Sequence, residues 1–432
     1  MDSMAGSWAR PHGRGAYGRE HRWKVLGVGV AANVSFFAAF AGIPATAVLM
    51  RADYRLDNAQ IGLALGLLGL GIAVSELLWG LLTDRLGDRR VLLMGLAATG
   101  LALALMAFAG SPHGERVPAL WLLAGGLFLV GFLGGSINGA SGRAVMAWFG
   151  EGERGFAMSV RQTAVPAGGG LGALVLPTLV AHQGYAMAYA GLAGLCALSA
   201  AFTWRWLHEP AEPATKGAAA APGAASGTAK RRGPLRQADV WRVAVSIGLL
   251  CAPQCAIVAF TSIFLADFSH AALATASAAL VLVQAGAAVS RIASGRWTDR
   301  HKNRRAFLRV CSCATSLLFA ALGLSVLAAG HGWLAHDSAL IFALLVLGGV
   351  CASAWHGVAF TEIATLAGAS RAGTALGLGN TFAFVSLFLT SLAVPALLSF
   401  SGWPLAWLAT AACALLAAPV FPPAPRVTAS SA

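Results

Sequence analysis

The chain has 432 residues, 57% of them hydrophobic and only 11% charged, with a mean hydropathy of +0.70. Soluble domains carry about 25% charged residues, so this composition excludes a soluble globular protein. The formal net charge of +13 would suit a nucleic-acid binder, but the basic residues are sorted by loop rather than gathered in a domain, which excludes that partner.

Scanning for runs of roughly 20 apolar residues predicts twelve membrane spans, at 25–49, 60–82, 91–110, 119–147, 157–180, 184–207, 241–267, 271–296, 306–330, 338–365, 373–399 and 403–421. Runs this long read as helices, because hydrocarbon cannot satisfy the backbone groups of an open strand. The segment 1–24 precedes them with Arg10, Arg14, Arg19, Arg22 and Lys24. The apolar run behind it is long and lacks a small-residue cleavage site, so it reads as a retained first span.

Span one carries one polar point, Asn33, beside Phe36, Phe37 and Phe40, whose rings can wall an apolar site. On span two, Gly62, Gly69, Glu76 and Thr83 recur every seven residues and therefore share a face. That span ends in Gly80, Asp84, Arg85, Gly87, Asp88, Arg89 and Arg90. Span four has Gly131, Gly135 and Gly139 at the spacing that lets helix backbones approach. Ser136, Asn138 and Ser141 add polarity, and Arg143 follows about one turn from the span's end, where it either snorkels or binds. On span five Arg161, Gly168 and Gly172 share a face, and Pro166 removes a rung of the helix ladder.

Between 208 and 240 the composition turns to Ala, Gly and Pro with Lys230, Arg231 and Arg232, which reads as a flexible linker. It divides the chain into a six-helix unit at 25–207 and another at 241–421, followed by a tail at 422–432. Span seven holds Pro253 and Gln254. Span eight carries Ser277, Gln284, Arg291 and Thr298 every seven residues, with Gly295, Asp299 and Arg300 near its end. Span ten has Ser353, Trp355, His356 and Thr361, and span eleven has Asn380. The seven cysteines all fall inside spans without metal-ligand spacing, and they read as packing residues. No metal, cofactor or enzyme constellation is expected.

Lys and Arg lie overwhelmingly on one side of this arrangement, in the N-terminal segment, the turns after spans two and eight, and the linker. Only Arg51, Arg55 and Arg116 fall on the other. By the positive-inside rule the expectation is a multi-pass protein of the cytoplasmic (inner) membrane, with both termini and the linker in the cytoplasm.

The turns after spans two and eight repeat one another at 215 positions. Gly80, Thr83, Asp84, Arg85, Arg89 and Arg90 align without a gap on Gly295, Thr298, Asp299, Arg300, Arg304 and Arg305. The pattern Gly-x-x-x-Asp-Arg-x-Gly-x-Arg-Arg resembles the signature loop of the major facilitator superfamily, with its degenerate copy one half-chain later. That resemblance implies an all-α membrane protein of twelve transmembrane helices, arranged as two pseudosymmetric six-helix bundles that rock about a midplane site. It also implies conformational gates at Gly80, Asp84, Arg85, Gly295, Asp299 and Arg300. Asp88 departs from it, since a basic residue is usual there.

The repeat disagrees in sign at one point, Glu76 against Arg291. A charge embedded in hydrocarbon persists where it has a partner or lines water, and a guanidinium can bind a carboxylate bidentately. Arg291-x-x-x-Gly295-x-x-x-Asp299 resembles the eighth helix of monocarboxylate and oxalate–formate carriers, in which the matching arginine is an anion ligand. An interbundle ion pair is the competing reading of Arg291. Glu76, an acid within a span, is the candidate proton carrier or else a partner for a helix-borne arginine.

These readings converge on a monomeric secondary transporter of a small organic anion, with Arg291, Gln284, Arg143, His356, Asn33 and Gln254 as its expected ligands. Membrane lipid surrounds it, and a proton coupled through Glu76 is a second expected partner. The alternatives are a polyspecific drug/proton antiporter, an inorganic-anion porter of nitrate or cyanate type, and a non-transporting sensor.

Overall fold

The computed structural model describes residues 18, 20–208 and 233–423. The segment before Gly18, most of the linker and the tail beyond Pro423 lie outside the described residues. Among the described residues there are ten helical stretches long and apolar enough to cross a membrane. Two of them are about twice the needed length, at 53 and 52 residues. A straight helix that long would measure about 80 Å, far more than a bilayer. Each is therefore folded back at one glycine, Gly184 (φ 77°) or Gly402 (φ 75°), a backbone region costly for any residue with a Cβ. The fold-back at Gly184 is direct, since the Cβ position of Gly191 lies 3.7 Å from Leu179 Cδ2, twelve residues earlier. The described residues thus make twelve passes.

Span one is His21–Ala45, span two Asn58–Leu86 and span three Asp88–Ala109. Span four is two helices, Leu120–Gly134 and Ser136–Trp148, and span five begins as Arg154–Gln162 before running to Gly184. Span seven is Ala238–Asp267, span eight Leu273–His301 and span nine Arg304–Gly330. Span ten is split into Ala339–Cys351 and His356–Ala367, and spans eleven and twelve share Ala372–Val420. One face of the molecule, called here the signature face, holds the turns at Gly87 and Lys302 (φ 53°), and Gly184 and Gly402 lie on the opposite face.

Apolar packing is organised by bundle. Leu68, Leu103, Leu127 and Leu176 fill the first, and Ile257, Phe319, Leu345 and Trp407 the second. Glycines let spans touch backbone to backbone. A Cβ on Gly172 would meet the Ala38 backbone of span one, and one on Gly131 would meet the Leu68 carbonyl of span two. The third helix of each triplet turns large apolar groups outward, such as Leu101, Leu105 and Phe108 on span three and Val310, Leu317 and Leu324 on span nine. Such exposure suits a surface solvated by lipid. On the opposite face the turn after span one is pinned by Tyr54, whose hydroxyl donates to the Gly110 carbonyl at 2.8 Å.

Candidate functional site

Arg291 sits ten residues from the signature-face end of span eight at His301, about 15 Å into the membrane. It is 1% exposed, so its donors must find acceptors within the protein. Two breaks in neighbouring helices supply them. Span ten is interrupted at 352–355, and Arg291 Nε donates to the Ser353 carbonyl at 3.1 Å. In span five the Gln162 carbonyl has no intrahelical donor, because the residue four positions on is Pro166. Arg291 Nη1 donates to that carbonyl at 2.8 Å, crossing from one bundle to the other. Among the described residues no carboxylate lies within ion-pair distance of Arg291.

Glu76 occupies the equivalent level of span two, ten residues from Leu86, and is fully buried. Its carboxylate accepts from Asn138 Nδ2 at 2.7 Å in its own bundle and from Asn380 Nδ2 at 3.2 Å in the other. The pseudosymmetry therefore reaches individual hydrogen bonds. Asn138 and Ser353 are 215 positions apart, as Glu76 and Arg291 are, and Gln162 and Asn380 keep the 218-position offset of Gly155 and Gly373. One seam holds an acid bridged by amides, and the other holds a base bridged by carbonyls.

Arg161 completes the buried charges of the midplane. Its Nε donates to Ser141 Oγ at 3.0 Å, and its Nη2 donates to the Asn138 carbonyl at 2.6 Å and to Asn33 Oδ1 at 3.3 Å. Asn138 thus touches Glu76 through its side chain and Arg161 through its backbone. Asn33, expected at the substrate, is placed behind the cavity as a support for Arg161, since its own amide is spent on the Gly29 carbonyl and Ser141 Oγ.

A cavity of about 540 Å³ lies between the bundles. Arg291, His356, Asn138, Gln162 and Asn380 form its floor. Gln254, Gln284, Phe37, Phe40 and Phe384 stand above them, and the lining continues toward the opposite face as far as Ala173, Ala259 and Leu387. The His356 ring stacks on Trp355 with centroids 3.9 Å apart, and its Nδ1 is buried with no hydrogen-bond partner. Of the ligands expected from sequence, the cavity gathers Arg291, Gln284, Gln254 and His356. It does not gather Asn33 or Arg143.

Two seams seal the cavity from the signature face. In the first, Asp84 accepts from the backbone N–H groups of Gly373 and Thr374 at 2.8 and 2.7 Å and from Thr374 Oγ1 at 2.5 Å. This carboxylate caps the N-terminus of span eleven, where the helix dipole favours negative charge. In the second, Asp299 accepts from Gly155 and Phe156 N–H at 3.0 and 2.8 Å, capping span five in the same manner. Glycines make both contacts close enough, because a Cβ on Gly80 would strike the Gly373 carbonyl and one on Gly295 would strike that of Gly155.

The cationic partners at the seams differ from those expected. Arg85 and Arg300 are exposed. Arg143 pairs with Asp88 at 3.0 Å and reaches Asp84 at 3.5 Å, and Arg304 pairs with Asp299 at 3.1 Å. Arg143 is therefore a seam residue, drawn by two acids at the membrane edge instead of the cavity. Charge-assisted bonds of this kind contribute about 1.5–3 kcal/mol each, so Asp84→Asn should shift the population toward a form open at the signature face. In a cysteine-less background, Leu376→Cys, buried in this seam, should then react severalfold faster with an impermeant maleimide. Unchanged reactivity would remove Asp84 from the gate.

Comparison with known proteins agrees with this architecture. Residues 28–325 match the model of the Major Facilitator Superfamily. An uncharacterized transporter of this type from Mycobacterium tuberculosis is 30% identical over 412 residues, covering 93% of this chain and 85% of that one. The membrane sensor protein UhpC of Salmonella typhimurium is 26% identical over 396 residues, covering 86% and 80%. Among solved structures, the human organic anion transporter MFSD10 superposes with a TM-score of 0.70 at 16% identity, over 93% of this chain and 99% of that one. With a matched family model spanning most of its length, twelve passes and paired signature turns, the chain belongs to the Major Facilitator Superfamily.

Proposed function

We propose that this transporter carries a small organic anion, a carboxylate, by alternating access, with a proton moving through Glu76. The observation that carries the proposal is the state of Arg291. A guanidinium buried at the cavity floor, with no acid beside it, is an uncompensated charge that an anion would neutralise. Arg291 has five N–H donors and uses two on backbone carbonyls, which leaves three for a ligand. The competing reading, a structural ion pair between bundles, requires an acid near Arg291, and Glu76 is engaged with two amides in the other seam.

In the proposed orientation the signature face is cytoplasmic, as its basic residues favour, and the described state is closed on that side. An anion arriving from the opposite face meets Arg291, Gln284, Gln254 and His356. Bound to the free Nη1 and Nη2 hydrogens, it pulls the guanidinium toward the cavity and weakens the Nη1 bond to the Gln162 carbonyl, one of the bonds holding spans eight and five together. Protonation of Glu76 leaves it a poorer acceptor for Asn380, the corresponding bond of spans two and eleven. Anion and proton each loosen one seam, and the Asp84 and Asp299 caps then part as the bundles rock.

Thermal-shift titration of the purified protein with carboxylates, nitrate and lipophilic cations tests the reading. Carboxylates should stabilise the wild type in a concentration-dependent manner. Stabilisation by cations alone would favour the drug-antiporter alternative. Fold-level likeness does not choose a substrate, and the sensor among the relatives aligns over 80% of its own length, so chain length does not separate sensing from transport. Flux of labelled anion into proteoliposomes does.

A further inference from the structure

We infer that the preferred substrate is a monocarboxylate with an aromatic body, its carboxylate on Arg291 and its ring held among Phe37, Phe40 and Phe384. This rests on the anion reading above and goes further, to the number of charges and the shape of the ligand.

The charge number follows from the lining. Arg291 is the only Lys or Arg in the cavity wall among the described residues. Arg161, the other buried arginine of the midplane, is enclosed by Ser141, Asn33 and the Asn138 backbone and does not reach the cavity. One accessible cation matches one negative charge. A sugar phosphate or a dicarboxylate would bring a second charge with nothing opposite it, at the cost of an unpaired ion out of water.

The shape follows from the position of the apolar groups. Above Arg291, the wall contributed by spans one and five is apolar, with Phe37, Phe40, Val165 and Pro166. The rings of Phe37 and Phe40 meet edge to face at 6.0 Å, and Phe40 meets Phe384 of the other bundle at 5.6 Å, again edge to face. Both Phe40 and Phe384 are partly exposed to the cavity, so a third ring can join the same edge-to-face geometry. A volume of about 540 Å³ falls in the range of pockets that hold organic ligands, roughly 300–1,000 Å³. Nitrate or acetate bound at Arg291 would leave most of this wall uncovered, being far smaller than the cavity.

The test uses purified full-length protein in detergent, with binding read by thermal shift and checked by competition against labelled benzoate in proteoliposomes. The probes are benzoate, cyclohexanecarboxylate, acetate, nitrate, glucose 6-phosphate and the uncharged benzyl alcohol. Benzoate should bind at least about tenfold tighter than acetate or nitrate. Phe40→Ala should weaken benzoate about tenfold while leaving acetate unchanged. Phe40→Leu keeps an apolar side chain there, and should weaken benzoate more than cyclohexanecarboxylate. Acetate, nitrate or glucose 6-phosphate binding as tightly as benzoate would overturn the inference and leave the anion reading standing. Equal weakening of every anion by Phe40→Ala would do the same. If no anion binds, or benzyl alcohol binds as tightly as benzoate, both fall.

Discussion

Arg291→Gln should reduce carboxylate transport by about 100-fold or more, the loss expected when one partner of a desolvated charge pair is removed. The protein should nevertheless fold. The wild-type guanidinium has only carbonyl partners, so replacing it by a neutral amide relieves a buried charge, and the amide can still donate to one of the two carbonyls. The apo-variant should melt no lower than the wild type while losing its anion-dependent stabilisation. This opposite movement of the two readouts separates a binding role from a structural one. Arg291→Lys should recover little, since an ammonium cannot keep both the Ser353 and Gln162 carbonyls and still present a planar pair of donors to a carboxylate. Transport by Arg291→Gln near the wild-type rate would sink the anion proposal.

Glu76→Gln separates coupling from movement. The amide imitates a protonated carboxyl, so the variant should catalyse anion counterflow within severalfold of the wild type. It should fail to concentrate the anion when a pH gradient is imposed. The geometry permits this substitution, because Gln Oε1 can accept from Asn138, and Asn380 can rotate its amide to accept from Gln Nε2. Glu76→Asp should behave differently: it retains the proton site but is one methylene shorter, which strains the bond to the other bundle. Uphill accumulation by Glu76→Gln, driven by the pH gradient, would assign coupling elsewhere.

The fold was largely legible in the sequence. Hydrophobic runs mark the twelve spans, and the 215-position repeat relates the two halves before any packing is known. The site was legible only where a charge stood out in hydrocarbon. Glu76 and Arg291 announce themselves by their cost, whereas a seven-residue stripe gives the face of a helix but not what lies opposite. For that reason Arg143 was left between snorkelling and binding, since Asp88, which departs from the usual turn, is one of the acids that holds it. Asn33 lies outside the cavity lining, bonded to Ser141 and Arg161.

Gln162 was not among the expected site residues, and Arg161 was noted only for the helix face it shares with Gly168 and Gly172. The signal for the first was present, since Pro166 four positions later strips a carbonyl of its donor and offers it to any nearby cation. Carrying the repeat from the turns to spans four, five, ten and eleven would have paired Asn138 with Ser353 and Gln162 with Asn380. Arg161 carried a weaker signal, because its compensation comes from three neutral oxygens on two other helices, which no local spacing encodes.

The buried trio of Glu76, Arg161 and Arg291 has an electrical consequence. Empty, the midplane bears one excess positive charge. In the proposed cycle a proton cancels the charge of Glu76 and a monocarboxylate brings one negative charge, so the loaded midplane bears the same excess. Moving an elementary charge through 100 mV is worth about 2.3 kcal/mol, but here that work is equal on the loaded and empty legs and cancels over a turnover. Accumulation should then follow the pH gradient alone, and a potassium–valinomycin diffusion potential of either sign should leave the final anion ratio unmoved.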